Sequence, residues 1–181
     1  INTPNLSTKI DFYGIQGLRL GLSGYFGRTQ ATDDVDMIDG ADVGISMYGL
    51  DARYINKRFT ARGQYIHALI SDAADYNALN NANLGSELKG WYAEAAYNLL
   101  PLANEQKLDA FLRYEMYDTH AATKDAGITR NLGYNRTDIT TGLSYHIAPG
   151  AVVKADYQFF DNAAIGNKTK GQLNIGLGVW F

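Results

Sequence analysis

The chain has no cysteine among its 181 residues, so neither a disulfide framework nor a thiolate metal site is open to it, and its redox compartment is left unmarked. It also lacks a long apolar run. Mean hydropathy is −0.25, and the roughly 20 successive apolar residues of a membrane helix are absent. Charge of one sign is missing too: 16 Lys and Arg against 19 Asp and Glu give a net charge of −3. Both signs are spread along the chain, which argues against a nucleic-acid surface. No linker, low-complexity tract or helical repeat divides the sequence, so 1–181 reads as a single domain.

What is present is alternation with period two, the signature of strands with one apolar and one polar face. At the C-terminal end Leu173, Ile175, Leu177, Val179 and Phe181 alternate with Gln172, Asn174, Gly176, Gly178 and Trp180. The same pattern sets Val153, Ala155, Tyr157 and Phe159 against Lys154, Asp156 and Gln158, and Ile139, Thr141, Leu143 and Tyr145 against Asp138, Thr140 and Ser144. Further strands are expected over Leu108 to Tyr117, Leu88 to Leu99, Phe59 to Tyr65, Leu18 to Phe26 and Leu6 to Phe12. In the segment Val43 to Tyr54 the apolar residues change sides, Val43, Ile45 and Met47 falling with Asp51, which predicts a bulge or a loop-facing upper half.

Connection lengths alternate as well. Short ones fall at 14–17, 56–58, 101–106 and 148–150, and long ones at 29–42, 70–87, 118–134 and 161–169. Short turns on one side and long loops on the other are the arrangement of outer-membrane barrels. Aromatics on the apolar face fall into two bands: Phe12, Tyr54, Phe59, Tyr97, Tyr145 and Phe181 toward the short turns, and Phe26, Tyr65, Trp91, Tyr114, Tyr157 and Phe159 toward the long loops. Rings at both headgroup levels are expected of a membrane barrel, whereas plain strand propensity predicts aromatics but not two bands.

The expected fold is therefore all-β, a transmembrane antiparallel up-and-down β-barrel with eight to nine strands in this chain. Single-chain bacterial barrels generally have even strand numbers. Either the first segment stays out of the sheet, leaving a closed barrel of eight, or the chain is the C-terminal part of a barrel of about sixteen. The start at Ile1 without a signal peptide fits a processed chain or a piece of a longer one.

The closing strand resembles that of bacterial outer-membrane β-barrels, whose terminal aromatic is read by the barrel assembly machinery. With Phe111 to Thr119, Asn135 to Ile139, Gly142 to Tyr145 and Val153 to Gln158, the C-terminal third resembles outer-membrane porins related to the phosphate-selective porins. The resemblance implies a homotrimeric, water-filled diffusion pore in a Gram-negative outer membrane, in contact with outer-membrane lipid and lipopolysaccharide. It does not imply phosphate specificity, which needs a concentration of inward Arg and Lys.

The candidate pore-lining residues carry both signs. Arg19, Arg53, Arg62, Arg113, Arg136 and Lys154 are accompanied on the polar face by Asp51, Glu94, Asp109, Glu115, Asp138 and Asp156. Such a wall either sets a transverse field that orients solutes or forms an internal salt-bridge network that plugs a small barrel. The two functional readings follow: a porin for small hydrophilic solutes or ions, or a closed barrel serving as an anchor or adhesin through its loops. No enzymatic activity, cofactor or metal is expected. His120 beside Asp118 or Asp125 reads as a loop residue in preference to a catalytic one. Asp33, Asp34, Asp36 and Asp39 read as a solvated loop in preference to a Ca²⁺ site.

Overall fold

The computed structural model describes residues 4–29 and 42–180. Nine antiparallel strands follow one another in chain order as a single up-and-down sheet, β1 to β9. They are β1 (Leu6–Ile15), β2 (Leu18–Arg28), β3 (Gly44–Asn56), β4 (Phe59–Ser71), β5 (Glu87–Asn98), β6 (Lys107–Ala122), β7 (Asn135–Ala148), β8 (Ala151–Asn162) and β9 (Lys170–Val179). Most reach or exceed the ten or so residues a tilted strand needs to cross a bilayer. No helix among the described residues is long and apolar enough to cross a membrane.

The pairing keeps most apolar residues of successive strands on one side, because a slip of one residue would turn the whole set over. Leu143 on β7 faces Ala155 on β8, which faces Ile175 on β9. Tyr65 faces Trp91, which faces Met116. The resulting apolar face is open: Leu22, Leu50, Leu112, Leu143, Ile175 and Leu177 are exposed, Ile175 at 76%. The buried apolar residues are few, among them Val43, Ala68 and Phe111. Continuous apolar surface on this scale far exceeds what a soluble monomer tolerates, and hydrocarbon is the medium that suits it. The upper aromatic band includes close ring pairs, Trp91 with Tyr114 at 5.3 Å and Tyr157 with Phe159 at 4.8 Å between centroids. Phe181, the final member of the lower band, lies outside the described residues.

The short connections are tight. Gly17 (φ 81°) and Gly150 (φ 86°) take the left-handed conformation that only glycine adopts without strain. The long connections carry structure of their own. The β4–β5 loop holds a helix, α1 (Ala73–Asn80), and the β6–β7 loop holds two short 3₁₀ turns at Lys124–Ala126 and Leu132–Tyr134.

Two alternatives that the sequence leaves open are settled. The bulge in β3 is absent: its ladders to β2 and β4 run without a register shift from Gly44 to Tyr54. Ile45 and Met47 do stand on the Asp51 side, because they meet apolar partners there, Ile70 and Ala68. The first segment is in the sheet, β1 being paired with β2 from Leu6 onward. Among the described residues β9 pairs with β8 alone and β1 with β2 alone, so the sheet does not close on itself as a barrel of eight.

Candidate functional site

The polar face is ordered in rows, because register places residues of successive strands side by side. Arg19, Arg53, Arg62, Glu94 and Arg113 form one row across β2 to β6. Two residues along each strand, about 7 Å away, a second row runs Asp11, Gly21, Asp51, Gln64, Tyr92, Glu115 and Asp138. A row rich in guanidinium groups thus lies beside a row rich in carboxylates.

Most of the twelve predicted residues are brought together in pairs across or along these rows. Arg19 Nη2 lies 2.7 Å from Asp51 Oδ2. Arg62 makes a two-pronged contact with Glu94, Nε to Oε1 at 2.8 Å and Nη2 to Oε2 at 3.0 Å, the geometry in which Arg binds carboxylate best. Arg113 Nη2 is 2.6 Å from Glu115 Oε2, and its guanidinium lies 4.1 Å above the Tyr92 ring centre. Lys154 sits 3.4 Å from Asp156 and 4.6 Å from the Phe111 ring centre. Asp109 meets His146 at 3.3 Å.

Others stay apart. Arg53, flanked in its row by Arg19 and Arg62, has no side-chain hydrogen bond or ion pair among the described residues and is exposed. Arg136 donates from Nε to the Gly133 carbonyl at 3.4 Å. Asp138 lacks a partner on Oδ1.

Residues outside the predicted set also take part. Lys9 on β1 reaches over β2 to Asp51 on β3, 3.1 Å away, and lies 3.5 Å from Asp11. Gly21 makes this possible. It sits in register between Asp11 and Asp51, and a Cβ there would lie 2.8 Å from Asp11 Oδ1 and from Asp51 Cγ. The placement of Lys9 and Asp11 on the polar side of β1 is the sequence signal that points to them.

His120 is only 1% exposed. Its Nδ1 accepts from the Asn131 N–H at 3.2 Å and its Nε2 donates to the Asn83 carbonyl at 2.9 Å, an arrangement that fixes the tautomer. Asp118 accepts from the His120 N–H at 2.8 Å and pairs with Arg130. The group joins the β4–β5 and β6–β7 loops. Asp33, Asp34, Asp36 and Asp39 lie outside the described residues.

With this geometry in place, comparison with known proteins identifies the fold. No family model matches the chain. An uncharacterized protein of Aquifex aeolicus (strain VF5) is 28% identical over 155 residues, covering 82% of this chain and 35% of that protein. A solved outer membrane protein of Vibrio cholerae, OmpT in its trimer form, superposes with a TM-score of 0.62 at 18% identity over 99% of this chain and 56% of that one. A second structure of in-vitro folded OmpT gives 0.58 at 18% identity, covering 97% and 54%. The chain thus spans about a third of the Aquifex protein and about half of each solved barrel. Its fold is that of the outer-membrane β-barrels of Gram-negative bacteria.

The same likeness corrects the expectation that the chain has no enzymatic activity. The solved barrels bearing the name OmpT share its fold at 18% identity, and one fold hosts unrelated activities. An enzymatic role is therefore open to a chain of this fold.

Proposed function

We propose that the nine strands are the C-terminal part of an outer-membrane porin, a barrel of about sixteen strands enclosing an aqueous channel. The channel passes small hydrophilic solutes or ions by diffusion. The observation that carries this reading is the open sheet. Both edges are unpaired among the described residues, and an unsatisfied backbone group costs several kcal/mol in hydrocarbon, so spanning sheets close. Closure here calls for more strands.

The polar face then lines the lumen. Arg19, Arg53, Arg62, Arg113, Arg136 and Lys154 with Asp51, Glu94, Asp109, Glu115, Asp138 and Asp156 form its wall. Because most guanidinium groups are matched by carboxylates, the wall offers no concentration of positive charge suited to phosphate alone. The apolar face meets outer-membrane lipid and lipopolysaccharide, the C-terminal strand engages the barrel assembly machinery, and the whole protein assembles as a homotrimer.

Liposome swelling with sugars of increasing size tests the reading. Vesicles containing the full-length protein swell in small sugars and cease to do so above a size cut-off. Vesicles that never swell, with folded protein in them, contradict it.

A further inference from the structure

On the apolar face, the register of β4 and β5 builds a column of pairs: His67 with Lys89, Tyr65 with Trp91, Gly63 with Ala93, Ala61 with Ala95 and Phe59 with Tyr97. Two levels of large rings thus bracket four small residues. Those four form the floor of an apolar depression of about 500 Å³, within the range of ligand pockets, about 300–1,000 Å³. Tyr54 on β3 and Leu112 and Tyr114 on β6 stand at its sides. Hydrocarbon surrounds this face, and an alkyl chain seated there gains the dispersion contacts that a void forfeits.

The head of the same column is charged. Glu87 Oε1 lies 3.0 Å from His67 Nε2 and 3.6 Å from Lys89 Nζ, and the Lys89 side chain is 51% exposed. Asp118, opposite Lys89 on β6, is taken by Arg130, whose side chain is also nearly half exposed. An ammonium and a guanidinium carry more N–H donors than these contacts use. Cationic donors for an anion therefore sit directly above the Tyr65 and Trp91 rings, where an outward-facing long-loop end meets the headgroups.

The spacing of head and depression fits one leaflet. From His67 and Lys89 down to Ala61 and Ala95 the strands run about 20 Å, which is about 14 Å of depth at a tilt of about 45°. Half of the hydrocarbon core is about 15 Å. A molecule with an anionic head at Lys89 and an alkyl chain reaching Ala61 and Ala95 is an acylated, phosphorylated lipid of the outer leaflet. We propose, resting on the lipid contact given to the apolar face above, that β4 and β5 hold a lipopolysaccharide molecule on the outer wall of the barrel, with a lipid A phosphate at Lys89 and Arg130 and an acyl chain in the depression.

The test uses the full-length protein, refolded in detergent free of lipopolysaccharide, and native mass spectrometry with bis-phosphorylated lipid A as the probe. The wild type is expected to retain lipid A and to hold the dephosphorylated form several-fold more weakly. Lys89→Gln removes the head contact and Ala93→Leu fills the depression, and each is expected to weaken lipid A binding several-fold. Lys107→Gln, at the short-turn end of β6, is expected to bind as the wild type does. Unheated gel electrophoresis checks folding, with Ala95→Leu serving in place of A93L where that variant stays unfolded. Wild-type affinity in K89Q or in the folded groove variant, an equal loss in K107Q, or equal affinity for dephosphorylated lipid A overturns the site. Conduction plays no part in the readout, so a barrel that fails to conduct sinks the pore reading and leaves the lipid site standing.

Discussion

Asn77 on α1 donates from Nδ2 to the carbonyl of Ala126, 49 residues further along the chain, at 2.9 Å. The same amide donates to the Leu84 carbonyl at 2.8 Å and accepts from the Leu84 N–H at 2.8 Å. One buried side chain thereby ties the β4–β5 loop to the β6–β7 loop. Asn77→Ala leaves those backbone groups unpaired at about 1–3 kcal/mol, but within the loops alone. Limited proteolysis within 72–86 is expected to quicken several-fold while the thermal unfolding of the sheet shifts little.

The loops explain where sequence reading stopped. Strand order and faces were legible because lipid on one side and charge on the other impose period two on Leu173 to Val179 and its counterparts. α1 was not, since Ala73 to Asn80 carries no apolar stripe and depends on Asn77 meeting a distant carbonyl. The sequence reads His120 as a loop residue, whereas it lies within β6, held by backbone partners from positions 83 and 131 that no local pattern brings together. The rows behave likewise. That Arg19, Arg53 and Arg62 are neighbours follows only from the register of three strands, and the Lys9 contact with Asp51 depends on an intervening strand having glycine at position 21.

The two faces of β7 differ in what they tolerate. Ile139 is on the apolar face, in register with Tyr114 and Phe159, while Thr140 is on the polar face beside Arg113 and Gln158. Leu143→Arg, on the same apolar face of β7 between the level of Tyr114 and Phe159 and that of Tyr145, is expected to cost about 2–4 kcal/mol in bilayer-embedded protein. Thr140→Arg is expected to cost well under half of that. Denaturant unfolding in lipid vesicles measures both.

Gly142 permits a close approach of β7 and β8. A Cβ there would lie 2.6 Å from the Cβ of Asp156 and also collide with the Ala155 carbonyl. Gly142→Val is expected to cost 1–3 kcal/mol or more through overpacking and to lower the yield of folded protein. Gly176, with nothing within 4 Å of such an atom, should accept alanine with a small change. Comparison of folded and unfolded bands by unheated gel electrophoresis reads both.

At the β2–β3 loop, Arg28 Nε donates to Asp42 Oδ2 at 2.8 Å. This hydrogen bond, partly opposed by desolvation, holds the Asp42 carboxyl below its ordinary value of 3.8. A carboxyl lowered in the folded state stabilises the contact above its unfolded pKa and loses that contribution as pH falls through the folded one. The loop anchor is therefore expected to be intact at neutral pH and to loosen below pH 3.8. Asp42→Asn should abolish that acid-side change, as read by hydrogen exchange at the Val43 N–H, which is bound to Thr29 Oγ1 at 2.9 Å.

The central claim is that this open nine-stranded sheet is part of a wider, water-filled barrel. Single-channel conductance of the native protein in planar bilayers, paired with its intact mass, tests it most directly. The account predicts large, ohmic steps from a polypeptide well over 181 residues long. A folded, membrane-inserted polypeptide of this length that gives no steps would contradict it.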